Sequence, residues 1–65
     1  MYIKNENQYR AYTVELAVYD ENTDSVFPEY VACNGYSCDN AIKRAKEVLK
    51  MQGYKEMYAV ECTLA

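Results

Sequence analysis

The 65-residue chain contains no histidine and no tryptophan, two glycines, one proline and three cysteines. Without histidine, a Ser-His-Asp or Cys-His nucleophile system cannot be assembled within one chain. Gly35 and Gly53 stand far apart, so there is no glycine loop to cradle a phosphate. No apolar run approaches the ~18 residues needed to cross a membrane, and no leader is expected ahead of the first strand. Cys33, Cys38 and Cys62 are too few and too odd in number for a disulfide framework. Reduced thiols, and hence a cytoplasmic setting, are the simpler expectation. A zinc site would have to add Asp39 to those three thiols. That spacing follows no known ligand pattern, so no metal and no cofactor is expected, and Cys62 and Cys33 should be buried thiols.

What the chain has is tyrosine, eight residues of it, in a composition that is 51% hydrophobic. This is the balance of one small globular domain with a thin core. A chain of this length buries only about 60% of the surface it would expose unfolded, and such domains often lean on a partner. The net charge of −3 is unevenly spread. Residues 11–41 carry Glu15, Asp20, Glu21, Asp24, Glu29 and Asp39 and no Lys or Arg, whereas residues 42–55 carry five cations against Glu47. Such polarity governs how a protein meets partners rather than its fold.

Residues 1–8 read as a polar start, expected to be loose. In "YRAYTVELAVYD", Tyr12, Val14, Leu16 and Val18 alternate with Thr13, Glu15, Ala17 and Tyr19, which predicts a half-buried strand. The turn formers of "DENTDS" predict a reversal. "VFPEYVAC" predicts a second strand, and Pro28, which cannot donate to a ladder, places it at an edge or a bulge. "NG" at 34 and 35 should break that strand. Ser37 then suits an N-cap, Asp39 the first helical turn, and Ala41, Ile42, Ala45, Val48 and Leu49 form an apolar stripe, giving a helix over about 38–52. Gly53 suits the left-handed position after it, with Tyr54 folding back on Leu49. "EMYAVECTL" predicts a final strand with Tyr58, Val60, Cys62 and Leu64 on one face.

The order is therefore β-β-α-β. A hairpin makes the first two strands antiparallel, and a right-handed crossover sets the third parallel to the second, beside either earlier strand. The clean alternation of the first strand and the edge position that Pro28 requires select a three-stranded antiparallel sheet in the order 2-1-3. The helix should cover Val14, Leu16, Val18, Val60 and Cys62. The opposite face, with Thr13, Glu15, Ala17, Tyr19, Ala59, Glu61 and Thr63, and some of Phe27, Glu29 and Val31, is left without a second layer.

Two local resemblances follow. "FPEYVACNGYSCDNAIKRAKEVL" resembles HicB-type antitoxins through Phe27, Pro28, Glu29, Cys33, Ala41, Ala45, Lys46 and Leu49, over about a third of the chain. It implies an antitoxin that binds a small basic toxin. The stretch is roughly two residues short between strand and helix and also before Phe27, and the separate DNA-binding domain that many of those antitoxins have is not expected within these 65 residues. Gly35, Ser37, Ala41 and Ala45 also resemble the last helix of a double-stranded RNA-binding domain. The phosphate-contacting lysines that this family would imply are Cys38 and Asp39 here.

The functional expectation is a non-enzymatic protein-binding module, an inhibitor or modulator of a host protein of the kind that phages and mobile elements encode. Glu15, Tyr19, Glu29 and Glu61 would form its contact face, and Asp20, Glu21 and Asp24 would supply long-range attraction. The partner would have a basic surface; a second copy of the chain is the other candidate. The alternative is nucleic-acid binding by Lys43, Arg44, Lys46 and Lys50. A solvated helix face, with Glu47 pairing to Lys43 or Lys50, is the simpler role for those four cations.

Overall fold

The computed structural model describes residues 9–65; the expectation for residues 1–8 falls outside them. Strand β1 (Arg10–Asp20), strand β2 (Ser25–Gly35), helix α1 (Cys38–Met51) and strand β3 (Glu56–Leu64) form a small α+β domain. The sheet order is β2-β1-β3, and both pairings are antiparallel. The central strand is the one with the cleanest alternation.

The core grows from that alternation. Val14, Leu16 and Val18 of β1 are fully buried, Tyr12 nearly so, and they meet Ala41, Ala45 and Leu49 of α1. Phe27, Val31, Met57, Cys62, Ile42 and Tyr54 pack around this cluster half-buried. Alanine at two of the three buried helical positions lets α1 lie close to the sheet. Gly35 lets it lie closer still. A Cβ there would stand 2.9 Å from the Ala41 backbone nitrogen and 3.0 Å from Asn40 Oδ1. The strand therefore continues through Asn34 and Gly35 instead of breaking at them, and the glycine serves the approach of the helix.

Local chemistry sets each turn. Between β1 and β2, the Asp20 carboxylate accepts from Asn22 N–H at 3.0 Å, and Asp24 adopts a left-handed φ of 54°. Asp is among the few non-glycine residues that take this region at modest cost. Ser37 caps α1 by accepting from Asn40 N–H at 3.1 Å, and Asn40 Oδ1 in turn accepts from Tyr36 N–H at 3.0 Å. At the other end, Tyr54 N–H donates to the Leu49 carbonyl at 3.2 Å and Gly53 N–H to the Lys50 carbonyl at 3.0 Å. With Gly53 at φ 108°, this is a Schellman closure. Tyr54 then packs on the core, its ring 5.6 Å from that of Phe27.

Two expectations about the core are corrected. Val48 is 41% exposed, because it stands at the margin of the buried stripe set by Ala41, Ala45 and Leu49. Val60 is 57% exposed and does not face the helix. The β1–β3 register pairs Glu15 with Glu61 and Leu16 with Ala59, so Val60 is an extra residue in a β-bulge. The bulge shifts every residue N-terminal to it onto the opposite face from that expected. Ala59 and Met57 lie beside the buried Leu16 and Val18, and Tyr58 joins the open face.

Candidate functional site

Among the described residues nothing packs on the face of the sheet opposite α1. Its composition follows from the two registers. Four rows cross it: Ala32, Thr13 and Thr63; Tyr30, Glu15 and Glu61; Pro28, Ala17 and Tyr58; Val26, Tyr19 and Glu56. Pro28 sits on an edge strand, where its missing N–H breaks no internal ladder.

The rows define the chemistry. Glu15 and Glu61 stand directly opposite each other in the middle of the face. Like charges in such cross-strand pairs are destabilising. Tyr30 flanks Glu15 on the other side, and Tyr58 lies one row away; each is 63% exposed. Val26, also 57% exposed, extends the apolar part toward the hairpin. The four rows hold three carboxylates, Glu15, Glu56 and Glu61, and no Lys or Arg. A cation inserted between Glu15 and Glu61 would relieve their repulsion.

The expected contact residues divide accordingly. Glu15, Tyr19 and Glu61 share the open face. Glu29 does not: it pairs with Leu16 and so lies on the helix side of the sheet, half-buried. Phe27 and Val31 share that side, because Pro28 leaves the alternation of β2 undisturbed. Asp20, Glu21 and Asp24 cluster at the hairpin end beside the face. All three hairpin-end carboxylates are already engaged locally, Asp20 by the Asn22 N–H. Tyr19 Oη donates to Asp24 Oδ1 at 2.6 Å, and Glu21 pairs with Lys55 at 3.8 Å. The bond to Asp24 holds the Tyr19 phenol above its ordinary pKa, and the neighbouring carboxylates add to the shift. Tyr30, Tyr58, Val26 and Glu56 belong to the face and were not among the expected contact residues. Tyr30 was legible from its alternation with Glu29; Tyr58 was hidden by the bulge.

The helix cations are dispersed. The Arg44 guanidinium lies 5.7 Å from the centre of the Tyr9 ring, which itself rests 4.8 Å from the Tyr36 ring. Lys46 and Lys50 reach the other way and, with Lys55 and Met57, line an open concavity of about 300 Å³ that they share with Tyr19, Val26, Glu56 and Tyr58 at the hairpin end of the open face. Lys43 and Lys50 are exposed, and neither pairs with Glu47.

The thiols are half-buried rather than fully buried. Cys33 Sγ donates to the Ala41 carbonyl at 3.1 Å, and Cys38 Sγ to the Cys62 carbonyl at 3.6 Å. Burial pushes the Cys62 thiol up to about 12, with the neighbouring Cys38 side chain adding in the same direction. Burial also raises Cys33, against an opposing effect of Arg44. No group of three His, Cys, Asp or Glu side chains among the described residues is placed to hold a metal ion, and no helix among them is long and apolar enough to cross a membrane. No protein-family model, no curated protein and no solved structure matches the chain.

Proposed function

We propose that the chain is a small non-enzymatic protein-binding module, an inhibitor or modulator whose open sheet face docks a protein with a basic surface. The observation that carries this reading is the cross-strand row of Tyr30, Glu15 and Glu61, with Tyr58 beside it, in strand rows that contain no Lys or Arg among the described residues. Tyrosine buries a large area with few rotatable bonds and is enriched at interface cores. Two opposed glutamates with no counter-charge favour an occupant that brings Lys or Arg to the centre of the face. Phosphate is disfavoured there by the same charges. Self-association through this face would set one trio of carboxylates against another, so a foreign basic protein is the occupant favoured over a second copy.

The test compares three immobilised proteins: the native chain, Glu15→Lys with Glu61→Lys, and Lys43→Gln with Lys46→Gln and Lys50→Gln. Bound host proteins are identified by mass spectrometry, and circular dichroism checks each fold. The reading requires a basic protein held by the native chain and by the glutamine variant and lost from the charge-reversed one. Loss from the glutamine variant alone would transfer the function to the helix. Equal retention by all three would remove the charges from the account, and a stable dimer dispersed by the charge reversal would make the occupant a second copy.

A further inference from the structure

The three thiols have no part in the docking face, yet two of them meet. Cys38 opens α1, and Cys62 lies 24 residues further on in β3. The sulfur of the first lies 3.6 Å from the backbone carbonyl of the second. Both side chains are half-buried at one seam between helix and sheet, and both are free thiols. Cys33 is drawn elsewhere, onto the Ala41 carbonyl at 3.1 Å. A disulfide needs Cβ atoms about 4 Å apart, and the Cys38 sulfur already touches the backbone carbonyl of Cys62.

We propose that Cys38 and Cys62 are a redox modification site, closing to an intramolecular disulfide that pins the start of α1 to the end of β3. The co-reactant is a small-molecule disulfide of the glutathione class. Cys38 loses its proton and attacks one sulfur of glutathione disulfide; the S–S bond breaks, and one glutathione leaves as the thiolate. The Cys62 thiol then loses its proton and attacks the Cys38 sulfur, displacing the second glutathione. Two protein thiols are oxidised to one disulfide, and one glutathione disulfide is reduced to two thiols. The first attack falls to Cys38, at the open end of the helix, because the Cys62 thiol holds its proton more tightly than an ordinary thiol. The second step is therefore the slow one. The bridge would close a long loop and fasten the strand that carries Glu61, the residue next to Cys62.

The experiment uses the full reduced chain, incubated with excess glutathione disulfide at mildly alkaline pH, then acid-quenched, alkylated and digested with trypsin. The expected product has lost two hydrogens, carries no glutathione, and joins the peptide holding Cys62 to the one holding Cys38. Cys33 and Cys38 share a tryptic peptide, so the Cys33→Ser protein must give the same link, and fragmentation of the native cross-linked peptide must place it at Cys38. The oxidised protein should melt on the order of 10 °C higher, reverting with dithiothreitol. The proposal is overturned if Cys33 carries the dominant link. It is equally overturned if glutathione stays on Cys38 while Cys62 remains alkylatable, or if the only disulfides formed join two chains.

Discussion

Deleting Val60 should leave the protein folded, although removing one residue from a strand ordinarily turns every following side chain to the wrong face. The reason lies in the register. Leu16 pairs with Ala59 and Glu15 with Glu61, so Val60 has no partner of its own. Joining Ala59 directly to Glu61 keeps Ala59 and Met57 on the core side and Glu61 and Tyr58 on the open side. Val60 is already 57% exposed, so removing it forfeits less than half of the ~1.5–3 kcal/mol that full burial of such a side chain gives, about 1 kcal/mol. The regular ladder that replaces the bulge returns about 0.5–1.5 kcal/mol for the hydrogen bond it adds. The two terms nearly cancel, and the deletion should shift stability by no more than ~1 kcal/mol either way. Deleting Ala17 from the central strand is the contrast. It turns part of the Val14, Leu16 and Val18 set outward, and each large side chain lost from a core costs about 2–5 kcal/mol. A domain of this size has only about 3–10 kcal/mol in total, so that protein should not fold. Urea titrations followed by far-ultraviolet circular dichroism measure both. A loss of more than about 3 kcal/mol on deleting Val60 would refute the bulge, and with it the placement of Tyr58 on the open face.

Gly35→Ala should cost about 1–3 kcal/mol in the same titration, because its Cβ meets helix backbone at 2.9 Å. Gly53→Ala should cost about 1–2 kcal/mol for a different reason: its Cβ meets nothing within 4 Å, and the strain lies in φ 108°. The Cys62 thiol, raised to about 12 in the folded chain, gives stability that is complete below its unfolded pKa near 9 and is lost as pH climbs toward 12. The urea midpoint should therefore fall over that range, and Cys62→Ala should flatten the fall; an unchanged slope would reject the shift. Ser37→Ala should lower stability by about 1 kcal/mol, since the Asn40 N–H loses its acceptor.

The sequence was most legible where one residue type has one conformational use. Ser37 as a cap, Gly53 beyond the helix, Pro28 on an edge and the alternation of β1 together determine β-β-α-β and the order 2-1-3. It was least legible where geometry leaves no compositional mark. Tyr58, Val60, Cys62 and Leu64 alternate without fault, yet a bulge at Val60 divides them, and the strands alone do not say where an extra residue is inserted. The same bulge concealed Tyr58 at the open face. Glu29 was misplaced for the opposite reason: Pro28 suggested an irregularity in β2, and the register runs through it unbroken. Gly35 looked like a strand terminator, and its use is to let Ala41 approach, a tertiary demand that local sequence does not carry. Glu15, Glu61 and Tyr19 were placed together correctly because they depend only on period two and on the helix covering one side.

The central claim, that the acidic open face is where a basic protein docks, is met most directly by a heteronuclear NMR titration of the isotope-labelled chain with an arginine-rich peptide. The account predicts amide shifts concentrated at Thr13, Glu15, Ala17, Tyr30, Tyr58 and Glu61, abolished by Glu15→Lys with Glu61→Lys. Shifts confined to the Asp20–Asp24 hairpin, or spread over α1 with the sheet rows unmoved, would contradict it.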